Sequence, residues 1–280
     1  MYRVDTFITT EKELASYERR MSICLQSNGF SFSVTSTSGL LLTFGEVTVD
    51  LAQPMSALIA DIKSFFAAHH IYPVEFKSMR LVLDSGCYVW IPDALYDAAQ
   101  NRRYLETVAR IPASSMVLSA AHPLLGARLV YAADATLTTS FKVALPGIDC
   151  CIRPFALLGK DLLQRAAHHP VIVAHLLSDP LRGSAAIDYL VLRDGGLTLS
   201  THRTVNGGRQ MLYTSLSVMK QMQVETDDME FLLCGAVERE LFMQLRGYFP
   251  RLDLYNGAPH RALNPQLARL HTYRHAAILA

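Results

Sequence analysis

The sequence predicts an α/β protein of two similar lobes, each with a five-stranded mixed sheet flanked by helices. One observation is the Asn28-Gly29 pair between two apolar runs, which is a strong local signal for a β-hairpin. A second is that the order of strands and helices found in the first half starts again near Val171. A third is composition: 280 residues, of which 50% are hydrophobic and 18% charged, suffice for a large buried core.

These patterns divide the chain into four parts. The two lobes are expected at 19–168 and 169–258, and a polar C-terminal tail is expected at 259–280. Residues 1–18 are polar and compatible with a helix, so we expect an N-terminal arm or a short leading helix there.

The first lobe begins with three short strands in an antiparallel meander and continues with alternating helices and strands. Its expected strands are Met21–Gln26, Phe30–Thr35, Leu40–Val49, Met79–Leu83, Tyr88–Ile91, Met116–Ser119, Arg128–Ala132 and Cys150–Phe155. A helix is expected to begin at Pro54, because proline is favoured in the first turn and the following apolar residues recur every three or four positions. Two further helices are expected at Leu137–Leu145 and Leu157–Ala167.

The second lobe repeats this order, with negligible sequence identity to the first. Its expected strands are Val171–Leu177, Ala185–Leu192, Leu197–Val205, Met229–Cys234 and Leu252–Tyr255. One helix is expected to follow Gly207-Gly208, and another to span Val237–Leu245. Three antiparallel strands followed by helix-separated strands give a mixed sheet with helices on its faces. A duplicated unit of this order predicts the actin-like, or ribonuclease-H-like, architecture.

Three segments of the chain resemble a known bacterial family. They are the first hairpin at 21–33 (MSICLQSNGFSFS), the strand Arg80–Asp84 with the following segment Tyr88–Asp97, and the second-lobe hairpin from Ile187 to His202. In these segments the chain is similar to the domain-of-unknown-function family 3822, which is grouped with the actin-like ATPases. The resemblance as a whole extends over 20–258. The resemblance implies the fold. It implies no activity, because none of the three segments is catalytic and the family has no assigned role.

The actin-like architecture raises the question of nucleotide binding. Active members hold ATP in the cleft between the lobes, with glycine-rich hairpin turns at the phosphates and acidic residues at Mg²⁺. Glycine lets backbone N–H groups approach phosphate oxygens, and Mg²⁺ prefers carboxylate ligands. In the first lobe the matching turn is 26–30, where Asn28 and Gly29 are the candidate nucleotide-binding residues. An active member would have an aspartate at the end of the preceding strand, and here the turn has no acid.

The matching turn of the second lobe is 178–184. Asp179 and Arg182 are candidates for a metal site and an anion contact, although both residue types are also ordinary in turns. Pro180 lacks a backbone N–H, and Leu181 adds bulk beside the expected phosphate. Gly235, after a buried strand, is the candidate residue on the adenine side. The alternative is that this glycine only ends the strand before the next helix begins.

Two functions therefore stay open. We expect a non-catalytic scaffold that binds a protein partner or itself, because the strand–helix pattern is intact while both phosphate turns are altered. The alternative is an ATP-binding protein or weak ATPase, whose cleft would be lined by Asp179, Arg182 and Gly235. ATP with Mg²⁺ is the one cofactor left open, and no separate metal site is expected.

Composition limits the partners and the compartment. The formal net charge of +1 gives no general field for nucleic acid, and no apolar stretch is long enough to span a bilayer as a helix. The five cysteines form no CxxC pair, and four lie in apolar runs, which is typical of reduced, buried thiols. The sequence begins without the pattern of a secretion signal. We therefore expect a cytoplasmic protein.

Overall fold

Three β-sheets form the framework of the protein. The computed structural model describes residues 2–10, 18–26, 29–50, 53–72, 75–178, 180, 183–257, 261–262 and 264–279. The strands, in chain order, are β1 (Tyr2–Thr9), β2 (Arg19–Gln26), β3 (Gly29–Ser36), β4 (Leu40–Val49), β5 (Phe76–Leu83), β6 (Tyr88–Pro92), β7 (Ser115–His122), β8 (Ala127–Asp134), β9 (Ile148–Ile152), β10 (Val171–Leu176), β11 (Ser184–Arg193), β12 (Gly196–Asn206), β13 (Glu230–Gly235), β14 (Leu252–Leu254) and β15 (Arg261–Ala262). The helices are α1 (Met55–Ala68), α2 (Asn101–Glu106), α3 (Ala135–Ala144), α4 (Arg153–Leu157), α5 (Lys160–Ala166), α6 (Gly208–Met222), α7 (Arg239–Arg246) and α8 (Ala276–Leu279).

The first sheet has seven strands, in the order β1-β4-β3-β2-β5-β9, with β15 also paired to β4. Strands β2, β3 and β4 form the predicted antiparallel meander, and β5 and β9 run parallel to β2. The prediction of five strands in this sheet is therefore too low. The two additional strands, β1 and β15, come from the two ends of the chain, where the sequence shows no repeat of the lobe pattern.

The N-terminal segment is a strand, so the prediction of an arm or leading helix is wrong for Tyr2–Thr9. Strand β1 lies antiparallel to β4, whose backbone hydrogen-bonding groups would otherwise form an unpaired edge. The ring of Phe7 packs on the core, with its centroid 5.9 Å from that of Phe65 and 6.5 Å from that of Phe32. These tertiary contacts outweigh the weak local preference for helix.

Helix α1 covers one face of the first sheet. Its buried residues Leu58, Ile62, Phe65 and Phe66 recur at the predicted helical spacing. Phe65 and Phe66 meet Phe32 edge to face, with ring centroids 5.6 and 5.4 Å apart. Such aromatic pairs add roughly 0.5–1.5 kcal/mol each beyond the burial of their area.

The second sheet has five strands, in the order β12-β11-β10-β13-β14. Strands β10, β11 and β12 form an antiparallel meander, while β13 and β14 run parallel to β10. This agrees with the predicted five-stranded mixed sheet. Helices α6 and α7 share an apolar core with one face of this sheet, and α5 and α8 share one with the other.

The strands β6, β7 and β8 form a third, antiparallel sheet in the order β6-β8-β7. This sheet packs against the core of the first sheet, within the first lobe, and against α4. The indole of Trp90 on β6 stacks parallel to the ring of Phe155 on α4, with centroids 6.2 Å apart, and His122 meets the same ring at 5.0 Å. Trp90 is thus a packing residue at the junction of the third sheet with α4.

The C-terminal segment returns to the first lobe, so the expectation of a polar tail at 259–280 is wrong for its final residues. All four residues of α8 are buried, with Ile278 and Leu279 only 2% and 1% exposed. They belong to an apolar core shared by both lobes. The hydroxyl of Ser33 on β3 donates a hydrogen bond of 2.7 Å to the Ile278 carbonyl. Within the described ranges, no helix combines the length and apolar character needed to cross a bilayer.

If α8 is part of the core, shortening its last leucine should destabilise the fold. We expect Leu279→Ala to lower the free energy of unfolding by about 2–5 kcal/mol, because a buried leucine would leave a cavity. The matched control is Leu95→Ala, since Leu95 is 71% exposed, and it should change stability by less than about 0.5 kcal/mol. Urea unfolding followed by circular dichroism measures both. Equal effects of the two substitutions would contradict the packing of α8.

Candidate functional site

A cavity of about 520 Å³ lies between the two lobes. It opens at the carboxyl ends of β2, β5, β10 and β13, the edge of an α/β sheet at which ligands usually bind. The remaining walls come from Ser31 on β3, Glu46 on β4 and Asp134 on β8, from α3 and α4, and from the C-terminal segment, which contributes residues 274, 275, 277 and 278. Of the sequence-predicted candidates, Gly235 lines this cavity.

A buried arginine links the walls of the cavity. Arg153, the first residue of α4, is only 7% exposed. Its Nη1 lies 3.0 Å from Asp84 Oδ1, just beyond β5, and its Nη2 donates to the carbonyl of Leu25 at the end of β2 at 3.1 Å. The Asp84 side chain is 58% exposed, so the pair joins a buried cation to a carboxylate at the cavity surface.

A row of polar side chains crosses the second sheet beside Arg153. Asp188 on β11 lies opposite both His175 on β10 and His202 on β12, so the three residues share one face of the sheet. His202 Nδ1 is 2.8 Å from Asp188 Oδ1. Burial raises the pKa of the Asp188 carboxyl, while the hydrogen bond to Asp188 raises the pKa of His202. The two side chains therefore form a hydrogen-bonded pair with the carboxylate buried and the imidazole 20% exposed.

Two histidines of the cavity stay neutral at physiological pH. Burial, together with the charge of Arg153, lowers the pKa of His175 to about 3. Burial also lowers the pKa of His275 to about 4, and its ring packs against Phe44 with centroids 4.5 Å apart. Neither Nδ1 atom has a hydrogen-bond partner among the residues that the structure describes.

The buried polar residues carry a signal that the sequence reasoning missed. Arg153, His175 and Asp188 are each the single Asp, Glu, Lys, Arg or His residue inside an apolar run, at 151–158, 171–177 and 185–192. Such residues are costly to bury unless they are paired. They therefore mark places where another segment of the same chain packs against the apolar run. The signal does not reveal that the three residues converge.

The structure gives two of the predicted glycines a steric reason for being glycine. A Cβ on Gly29 would overlap the carbonyl oxygen of Val47 in the adjacent strand, and Gly29 is not among the residues that line the cavity. Gly235 has a positive φ of 83°, and a Cβ there would overlap the Leu176 carbonyl oxygen. The close strand pairing therefore accounts for both glycines without a ligand. Asn28, Asp179 and Arg182 lie outside the described residues.

The cysteines are free thiols, and three of the five, Cys24, Cys151 and Cys234, are buried. Burial raises the pKa of all three, to about 12 for Cys151, so each is protonated at neutral pH. Cys24 lines the cavity, but its protonated thiol is a poor nucleophile. In the described part of the chain, no three His, Cys, Asp or Glu side chains are grouped to hold a metal ion.

Comparisons with known proteins agree with this architecture. A model of the family described as proteins of unknown function, DUF3822, matches residues 9–252. A Bacteroides thetaiotaomicron protein with an actin-like ATPase fold and unknown function is similar, with a TM-score of 0.71 and 18% identity over 88% of this chain and 93% of that one. This confirms the predicted actin-like fold, and at that identity it shows the fold alone.

Weaker likenesses extend to other proteins. The ethanolamine utilization protein EutJ of Carboxydothermus hydrogenoformans has a TM-score of 0.46 and 10% identity, covering 94% of this chain and 90% of its own. An Aquifex aeolicus member of the Ppx/GppA family has a TM-score of 0.40 and 9% identity, covering 83% of this chain and 71% of its own. Neither carries an argument about function. Among curated proteins, none matches this chain.

The neutral His175 predicts a pH dependence of stability. Its pKa is about 3 in the folded protein and about 6.5 in an unfolded chain. Between these pH values the unfolded chain binds more protons than the folded protein does. The contribution of His175 to the free energy of unfolding is therefore complete above about pH 6.5 and is lost as the pH falls. His175→Gln removes this group and should make the unfolding free energy less steep between about pH 4.5 and 6.5, by up to about 1.4 kcal/mol per pH unit.

The control for this measurement is His168→Gln, since His168 is exposed and lies outside the cavity. Urea unfolding at a series of pH values gives the slope for each variant. A His175→Gln protein with the same slope as the parent would contradict a neutral, buried His175.

Proposed function

The chain belongs to DUF3822, a family of proteins of unknown function, and from its cleft we propose that it is a non-catalytic actin-like scaffold. It acts in the cytoplasm by binding a protein partner or a second copy of itself. The observation that carries the proposal is the course of the C-terminal segment. Residues 274–278 form a wall of the cleft in which an active actin-like ATPase holds its nucleotide.

The contacts of this segment support a permanent wall. The Ile278 carbonyl accepts from Ser33, Arg274 Nη2 lies 3.3 Å from Glu238 Oε1, and the His275 ring packs on Phe44. These contacts tie the segment to strands of the first lobe and to the start of α7 in the second. A nucleotide that occupied the same space would have to break them.

The end of β2 and the pairing of Asp84 also fit a magnesium nucleotide poorly, while Glu46 and Asp134 add two further carboxylates to the cavity wall. The strand β2 ends in Leu25 and Gln26 instead of an acid, and the Gln26 amide donates to the Ser31 hydroxyl at 3.1 Å. The Asp84 carboxylate lies against Arg153, which a metal ion would have to displace. Mg²⁺ requires oxygen ligands in a near-octahedral arrangement, and a carboxylate neutralised by an arginine is a weak one.

One observation favours the alternative of ATP binding. About 520 Å³ of the cleft stays open beside the C-terminal segment, within the volume range of small-molecule sites. Gly235 and Ala236 line it on the side where the adenine is expected. A nucleotide held in this remaining space would make the protein a weak ATP binder.

Melting curves in Mg-ATP decide between the two functions. We expect millimolar Mg-ATP to leave the melting temperature unchanged and no phosphate to be released from it. A ligand at 100 times its dissociation constant stabilises a protein by about 2.7 kcal/mol, which would raise the melting temperature by about 5 °C or more. A shift of that size would contradict the proposal.

The control variant is Ala236→Trp, which fills the cavity from a half-buried position. Gly235 is unsuitable for this purpose, because any side chain there overlaps Leu176. A Mg-ATP shift that disappears in Ala236→Trp would establish ATP binding in the cleft and overturn the non-catalytic scaffold.

A further inference from the structure

A second concave surface lies on the second lobe, at the edge opposite the cleft. This groove has a volume of about 580 Å³ and is formed by α5, α7, the start of β13 and β14. Its residues are Arg165, His169, Glu230, Phe242, Arg246, Arg251, Leu252 and Asp253. It lies apart from every residue discussed for the cleft.

The carboxylates of the groove are already engaged. Glu230, whose side chain is 15% exposed, accepts from Arg165 Nη1 at 2.6 Å and lies 3.1 Å from His169 Nε2. Asp253 Oδ1 accepts the backbone N–H of Leu254 at 2.7 Å. Arg165 thus neutralises Glu230, while Asp253 keeps its charge and is the one carboxylate left in the groove for other cations.

Two arginines remain without such a partner. Among the described residues, no carboxylate lies within 4.0 Å of the guanidinium of Arg246 or of Arg251, and both side chains belong to exposed residues. Arg246 is in the last turn of α7, where the helix dipole favours a cation. Arg165 balances Glu230, and Asp253 balances one of the other two arginines. The groove therefore has an excess of one positive charge.

The groove combines this charge with apolar surface. The half-buried Phe242 and the buried Leu252 line the groove together with the arginines and belong to the core of the second lobe. An arginine can place two parallel N–H donors on one carboxylate, and the apolar side chains beside the two arginines suit an aliphatic residue. The groove lies open at the surface, which suits an extended segment more than an enclosed small molecule.

The geometry points to this groove as the docking surface for an acidic peptide segment of a partner protein, in which carboxylates alternate with aliphatic side chains. This inference rests on the proposed function, since it names the chemistry of the partner that the scaffold binds. The glutamate or aspartate side chains contact Arg246 and Arg251, and an aliphatic residue between them packs on Phe242.

The test is fluorescence anisotropy with a fluorescein-labelled peptide that alternates glutamate pairs with leucines, added to the full chain. We expect saturable binding that weakens between about 20 and 200 mM salt, because exposed charges are screened. The double substitution of Arg246→Glu and Arg251→Glu should reduce the affinity for the peptide about tenfold or more, because it turns attraction into repulsion.

The matched control carries the same change of charge elsewhere. Arg110→Glu with Arg209→Glu alters two exposed arginines that do not line the groove, and it should retain the affinity of the parent within about twofold. Circular dichroism melting of both double variants checks that each is folded. Loss of binding in the groove variant alone supports the inference.

Three results would overturn it: no peptide binding at low salt, equal loss in both double variants, or tighter groove-dependent binding of a single-stranded oligonucleotide than of the peptide. The last result would make the groove a nucleic-acid surface. Each of these outcomes is independent of the Mg-ATP measurement, so failure of the groove leaves the test of the non-catalytic scaffold intact.

Discussion

The positive charge of Arg153, buried where the two lobes meet, constrains the rest of the cleft. A guanidinium does not lose its proton in a protein, so a buried one must be neutralised and hydrogen-bonded in place. Asp84 supplies the charge and the Leu25 carbonyl supplies the hydrogen bond. Asp84 follows β5 and Leu25 lies at the end of β2, so the arginine holds the ends of these two strands against the start of α4. The same charge contributes to keeping His175 neutral on the facing sheet.

The two lobes are joined by more than this ion pair. Cys24, Phe44 and Val82 from the first lobe share one apolar core with Leu190 and Leu232 from the second. Helix α8 completes that core, so separating the lobes would expose apolar surface that includes Ile278 and Leu279. Burial of apolar surface is worth about 25 cal/mol per Å², and each such side chain therefore opposes a hinge-like opening.

Charge is distributed unevenly over a chain whose formal net charge is only +1. In the cleft, Arg153 is matched by Asp84, whereas the groove of the second lobe leaves Arg246 and Arg251 without a carboxylate among the described residues. Total charge describes the field far from the protein, while recognition depends on charges within about 10 Å of a partner. Composition could exclude a general attraction for polyanions, but it could not locate a local basic surface.

Elements with a regular local pattern were predictable from the sequence. In the predicted first hairpin Gln26 pairs with Gly29, and the apolar spacing of α1 identifies its buried face. The second-lobe hairpin was predicted equally well, but its turn at Asp194-Gly195 does not give the register further along the two strands. A bulge between Val191 and Leu192 shifts the pairing by one residue, and this brings His202 opposite Asp188. The turn alone would have placed Thr201 there.

By itself, then, the sequence determined the two antiparallel meanders and the mixed sheets that they begin. Neighbouring residues are enough for these features, because periodicity and turn chemistry act over a few positions. Only the tertiary structure decided that β1 pairs with β4, that α8 closes the cleft, and that Arg153, His175 and Asp188 converge. These depend on which sheet edge is free and which buried charge needs a partner. Residues far apart in the chain provide both, so no local pattern records them.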